Sequence, residues 1–180
     1  MSGVLTAGGH FVGLTLWIIS LGLLWSGLQR ARALPSGLFI PGAIAILPLA
    51  FLFRGIFGDV SFTLPWLCAL AAGWLHRPKH PRCALFFFAS CGLILNLSAL
   101  GLLATDLYSL GYSHFGGLVI LGCLAGASGA LSPSLSLTWC VGLWLMISGL
   151  TPSSNAFDLA WDVPAILLSV ALLLRRSQTN

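Results

Sequence analysis

Charge is what this sequence has least of. Only 7% of its 180 residues are charged, whereas 58% are hydrophobic, and the mean hydropathy is +0.99. Soluble domains carry about 25% charged residues, so a chain this poor in charge cannot cover a water-facing surface. We therefore expect lipid to surround most of the chain, and we predict a single transmembrane domain over residues 1–180.

The sequence motifs of soluble chemistry are also missing. There is no Walker A loop, no G-x-G-x-x-G and no C-x-x-C, and the five cysteines lie in or beside apolar runs, where cysteine acts as a small hydrophobe. His76 and His80 are four residues apart, but Pro78 and basic neighbours oppose a metal site there. No cofactor or metal is expected. The few basic residues lie in short loops between apolar runs, so no nucleic-acid partner is expected either.

What the sequence does contain is a series of seven continuous apolar runs. They cover residues 11–28, 38–53, 60–75, 83–104, 115–131, 135–150 and 156–174. Each is close to the roughly 20 residues that a helix needs to cross a hydrocarbon core of about 30 Å. The predicted fold is therefore an all-α bundle of seven transmembrane helices. The first turns of the seventh run carry Asp158 and Asp162, so a six-helix bundle with a re-entrant last segment is the alternative.

The charges divide between the two sides of this predicted bundle. The basic hinge at residues 76–82, the loop at Arg30 and Arg32, and the tail at Arg175 and Arg176 hold seven of the eight Lys and Arg. The positive-inside rule places them in the cytoplasm. The N-terminus and all four acidic residues then lie outside, and the C-terminus is cytoplasmic. The expected location is a plasma membrane, with a bacterial inner membrane preferred.

The polar residues of the outer side form the candidate binding site. They are Arg54, Asp59, Asp106, His114, Asp158 and Asp162. Asp158 and Asp162 are four residues apart, so they share one face of the predicted helix. Prolines inside the second and third runs are expected to kink these two helices and to open a cavity beside the 54–59 loop. The alternative is that these residues are solvated loop ends, with Arg54 paired to an aspartate.

Other residues point to helix packing. Gly122 and Gly126 form G-x-x-x-G in the fifth run, and such a face lets another helix approach closely. Asn96 lies near the middle of the fourth run, where its amide is expected to bond across a helix contact. Residues 126–129 also resemble the G-x-S-G serine motif of rhomboid intramembrane proteases, with Ser128 as the matching serine. That family pairs the serine with a histidine on a later helix, and no histidine follows His114, so this catalysis is not expected.

Three classes of function are consistent with this pattern. The first is an accessory or structural subunit that contacts other membrane-protein subunits through the fifth helix. The second is a lipid-handling enzyme or lipid carrier with membrane lipids as partners and an outer-leaflet site of Arg54 and aspartates. The third is a small transporter or channel, which is weakened because only Asn96 is strongly polar at mid-bilayer depth. Catalytic residues are not assigned, and acids that line one enclosed pocket would favour the second class.

Overall fold

The chain is all-α throughout the part that the computed structural model describes, residues 2–30, 39–75, 80–151 and 153–177. This part contains seven α-helices and no strand, so the all-α class is confirmed. The helices are α1 (Ser2–Arg30), α2 (Phe39–Phe57), α3 (Thr63–Ala71), α4 (Pro81–Ala99), α5 (His114–Leu131), α6 (Pro133–Ile147) and α7 (Val163–Ser177). Two 3₁₀ helices cover Tyr108–Tyr112 and Ala156–Leu159. Arg32 and residues 76–79 of the basic hinge lie outside the described residues.

Two helices in the described ranges are long and apolar enough to cross a membrane by themselves. These segments are Phe11–Arg30 in α1 and Pro81–Ala99 in α4. Shorter apolar segments of 10–17 residues occur in α2, α5, α6 and α7. The length and composition of the two long helices agree with an association with membranes, although a buried core helix can satisfy the same criterion.

Helix α3 is much shorter than the predicted span over residues 60–75. It has nine residues, which at about 1.5 Å per residue gives a length of about 14 Å. Its side chains are nearly all buried, and it packs against α1, α6 and α7. Gly73 follows it with a φ of 73°, a left-handed conformation that ends a helix at low cost for glycine. Burial inside the protein therefore accounts for the apolarity of this run.

Residues 153–162, which we name the inner loop, enter the core without forming an α-helix. Asn155, Phe157 and Trp161 are buried within it. Phe62 N donates to Leu159 O at 2.9 Å, which joins the inner loop to the chain just before α3. The seventh helix therefore begins at Val163 and not at residue 156 as predicted.

Aromatic side chains hold the inner loop against its neighbours. The ring of Trp161 lies 5.0 Å from that of Trp139 in α6 and stacks at 6.0 Å on Phe88 in α4, measured between centroids. Both indoles have hydrogen-bond partners, because Trp161 Nε1 donates to Phe88 O at 3.0 Å and Trp139 Nε1 donates to Thr63 Oγ1 at 2.8 Å. Buried tryptophans usually find such partners. These contacts hold the inner loop in one position beside α3, α4 and α6.

Candidate binding cavity

A cavity of about 440 Å³ opens where the inner loop meets the ends of α2 and α4. Its polar wall consists of the carboxylates of Asp59, Asp158 and Asp162 with the side chains of Asn96, Tyr108 and Ser153. The rings of Phe57, Phe62, Phe157 and Trp161 form much of the remaining wall. Three of the six predicted site residues therefore line a single cavity. Its volume lies within the range of about 300–1,000 Å³ that is typical of small-molecule sites.

Asp59 forms the part of the cavity wall that lies beside the last turn of α2. Arg54 Nε donates to Asp59 Oδ1 at 2.6 Å, and the two side chains are 22% and 24% exposed. Gly58, with a φ of 77°, turns the chain between them. A Cβ atom at Gly13 would lie only 2.6 Å from Asp59 Cγ, so α1 approaches the carboxylate through a glycine. The predicted pairing of Arg54 with an aspartate is present, and it lies at the edge of the cavity.

Asp158 connects the inner loop to the first 3₁₀ helix. The phenol of Tyr108 donates to one carboxylate oxygen, and Ser153 Oγ donates to the other at 2.5 Å. Burial, together with the neighbouring Asp158 carboxylate, raises the pKa of Tyr108, so its phenol remains a donor. Two neutral hydroxyls thus bind this carboxylate, and neither of them neutralises its charge.

Asp162 is bound by backbone groups just before α7. Its Oδ2 accepts from Ser61 N at 2.5 Å, and its Oδ1 accepts from Ala165 N at 2.6 Å, as in a helix N-cap. Burial raises the pKa of Asp162, while the hydrogen bonds to this carboxylate act in the opposite direction. The side chain therefore joins the loop before α3 to the first turn of α7.

Comparison with known proteins gives no relative. No family model, no curated protein and no solved structure matches this chain. Within the described ranges, no group of three or more His, Cys, Asp or Glu side chains is arranged to hold a metal ion. A functional proposal therefore depends on the cavity and on the surfaces of the helices.

Arg54 and Asp106 do not line this cavity. Asp106 is exposed, and its Oδ1 accepts from Ser109 N at 3.0 Å, which caps the first 3₁₀ helix. The backbone of His114 begins α5, but its side chain lies outside the described residues. Ser128 is fully buried, and its hydroxyl donates to Ala125 O in the same helix at 2.8 Å, so it offers no accessible nucleophile.

The predicted packing residues have three different surroundings. Asn96 lines the cavity, and its Nδ2 donates to Gly92 O at 2.8 Å, inside α4 and not across a helix contact. Gly122 and Gly126 face open space, because a Cβ at either position would have no atom within 4 Å. No helix of the described part of the chain therefore packs on this face of α5.

Several members of the cavity wall are not indicated by the sequence. The position of Asn96 within an apolar run predicts helix packing, and no motif includes Ser153. Ser153 lies in a polar stretch next to Asn155, which is the only available sequence signal for it. The aromatic wall gives no such signal, because aromatic residues are spread throughout the apolar runs.

Proposed function

We propose that this protein is a multi-pass protein of the plasma membrane. Large apolar side chains are more than half exposed on each of the six longer helices. They include Phe11 on α1, Leu52 on α2, Phe86 on α4, Phe115 on α5, Trp144 on α6 and Leu167 on α7. Soluble monomers rarely expose large apolar patches, whereas lipid covers such faces without cost.

The separation of charges along α1 also supports a membrane location. Asp59 contacts α1 at Gly13, and Arg30 ends the helix 17 residues later, a distance of about 25 Å at 1.5 Å per residue. This is close to the thickness of a hydrocarbon core. Topology reporters inserted at residues 76–82 and beside Asp106 test the proposal. We expect the first in the cytoplasm and the second outside, and the same side for both would contradict it.

We further propose that the acidic cavity binds the ammonium head group of a membrane lipid. One observation carries this proposal: Asp59, Asp158 and Asp162 converge on one cavity and do not point into water on separate loops. The faces of aromatic rings attract cations and bind quaternary ammonium ligands, and a nearby carboxylate adds the attraction of an opposite charge. The ring of Phe57, which is 44% exposed, belongs to the same wall. This favours a lipid carrier or another lipid-handling protein, and no reaction is assigned to it.

Removal of one cavity charge is the direct test of ligand binding. We expect Asp158→Asn to weaken the binding of a decyltrimethylammonium salt about tenfold, because the amide keeps the shape of the side chain and loses its charge. Titration calorimetry on the protein in lipid nanodiscs measures this change. Decyl maltoside, which has the same alkyl chain and no charge, should bind equally to both proteins.

The exposed Asp106 supplies a matched control for this experiment. Asp106→Asn removes the same charge outside the cavity, so the affinity for the ammonium probe should stay within about twofold of wild type. An equal loss in both variants would indicate a general effect of surface charge. No loss in Asp158→Asn would indicate that the acids only hold the inner loop in place.

A second candidate is the accessory subunit expected from the sequence. The open face of α5 at Gly122 and Gly126 favours it, because a small-residue face accepts a helix from another polypeptide. Gentle purification from the native membrane should then recover a second membrane protein in a fixed ratio, and Gly122→Leu should remove it. The transporter or channel hypothesis gains no support from Asn96, whose amide donates within its own helix.

A further inference from the structure

A second cavity, of about 610 Å³, lies at the other end of α1, between the ends of α1 and α3 and the last part of α7. Its wall is apolar or glycine except for two arginines, Arg30 and Arg175. The side chains of Leu24 and Leu28 form the apolar surface along α1. We name this second cavity the groove. Its two cations lie beside an apolar surface, which is the arrangement that an amphiphile with an anionic head group requires.

No side-chain carboxylate accompanies these arginines. The sequence has four acidic residues and no more; three line the acidic cavity, and Asp106 caps the first 3₁₀ helix. The two positive charges at this end therefore lack an acidic side chain as counter-ion. Bringing an anion to them is favourable, because the surrounding surface is apolar and screens charge poorly.

The guanidinium of Arg30 is held in place at the edge of the groove. It lies 3.4 Å above the ring of Trp74, and Trp74 Nε1 donates to Ser26 Oγ at 2.8 Å, which orients the ring. Stacking uses the face of a guanidinium, while its N–H donors lie in the plane and match the geometry of phosphate oxygens. The stacked arginine is thus oriented before a ligand binds.

We propose that this groove binds the phosphate of an anionic phospholipid from the cytoplasmic leaflet, with Arg30 and Arg175 on the phosphate and an acyl chain along Leu24 and Leu28. Basic pockets between transmembrane helices on the cytoplasmic side bind such head groups. The site rests on the proposed membrane location and is independent of the ammonium-binding cavity. A failure of either lipid site leaves the other intact.

The test compares the binding of two lipids by the full chain in detergent. Phosphatidylglycerol should be retained in preference to phosphatidylcholine, as measured by native mass spectrometry. Arg30→Gln and Arg175→Gln should each lower the retention of phosphatidylglycerol about fivefold, since an arginine near an anionic lipid head group contributes on that scale. Retention of phosphatidylcholine, whose phosphate charge is balanced by choline, should fall less, and added salt should weaken mainly the binding of phosphatidylglycerol.

Arg82→Gln is the matched control, because Arg82 is exposed on the same predicted side and does not line the groove. Its retention of phosphatidylglycerol should equal that of wild type. An equal loss in Arg82→Gln, or no loss in the two groove variants, would overturn the proposal. Arg175 is exposed near the end of α7, so its variant remains informative if Arg30→Gln does not fold.

Discussion

Replacing Gly111 by alanine is expected to lower the melting temperature by about 10 °C. Gly111 is buried in the first 3₁₀ helix, and a Cβ there would lie 2.7 Å from Asn155 Cγ and 2.8 Å from Phe157 Cδ2. The φ of Gly111 is not positive, so alanine suits the backbone and the effect is purely steric. The added methyl group must push Asn155 out of its position in the inner loop.

The displaced asparagine accounts for most of the expected loss. Asn155 is fully buried; its Oδ1 accepts from Phe157 N at 2.9 Å, and its Nδ2 donates to Tyr108 O at 3.3 Å. Overpacking costs about 1–3 kcal/mol, and a buried polar group left without a partner costs a similar amount. A total of about 3 kcal/mol corresponds to about 10 °C for a chain of this size. Thermal unfolding in detergent, followed by tryptophan fluorescence, measures it.

The matched control is Gly122→Ala, because a Cβ at Gly122 has no atom within 4 Å. Alanine is favoured over glycine inside a helix by about 1 kcal/mol, so this variant should be as stable as wild type or slightly more stable. If Gly111→Ala melts at the same temperature as Gly122→Ala, the inner loop does not pack against the first 3₁₀ helix as described.

The order of the helices follows from the apolar runs of the sequence. The segments that are buried inside the protein do not follow from these runs. An apolar run indicates that water is excluded, and it does not distinguish lipid from protein as the neighbour. The 60–75 run predicts a crossing and instead contains the buried nine-residue α3. Most of the inner loop also belongs to an apolar run that does not form an α-helix over its whole length. Asn155, Asp158 and Asp162 form hydrogen bonds with nearby backbone and hydroxyl groups, and these bonds compete with helix formation.

The sequence predicts six residues for the candidate site, and three of them line one cavity. The charges of successive loops predict on which side of the membrane a residue lies. They do not predict how far the residue lies from the axis of the helix bundle. The positive-inside rule places Asp106 and Asp158 on the same side, yet Asp106 is exposed and Asp158 lines the cavity. Asn96, near the end of α4, lines the same cavity. No residue spacing in the sequence predicts this position.

Removing the carboxylate of Asp162 is the second change with a large expected effect. Asp162→Ala leaves Ser61 N and Ala165 N without their acceptor, and each lost acceptor costs about 1–3 kcal/mol. We expect a total loss of about 3 kcal/mol, again measured as thermal unfolding in detergent. Asp162→Asn retains one acceptor oxygen and should lose about half as much. Equal stability of the alanine variant and wild type would mean that water replaces the carboxylate.

The pH dependence of stability, compared between wild type and Asp162→Asn, tests whether burial raises the pKa of Asp162. Burial raises the folded-state pKa of Asp162 above the value of about 3.9 for an unfolded chain. In the window between the two pKa values the folded protein holds more protons. The part of the stability that comes from the raised pKa of Asp162 is therefore complete below about pH 4 and is lost as the pH rises through the folded-state pKa. Asparagine does not titrate. The difference in melting temperature between wild type and Asp162→Asn should therefore narrow from pH 4 upward, and a difference that widens would show that the backbone donors outweigh burial and hold the carboxylate ionised.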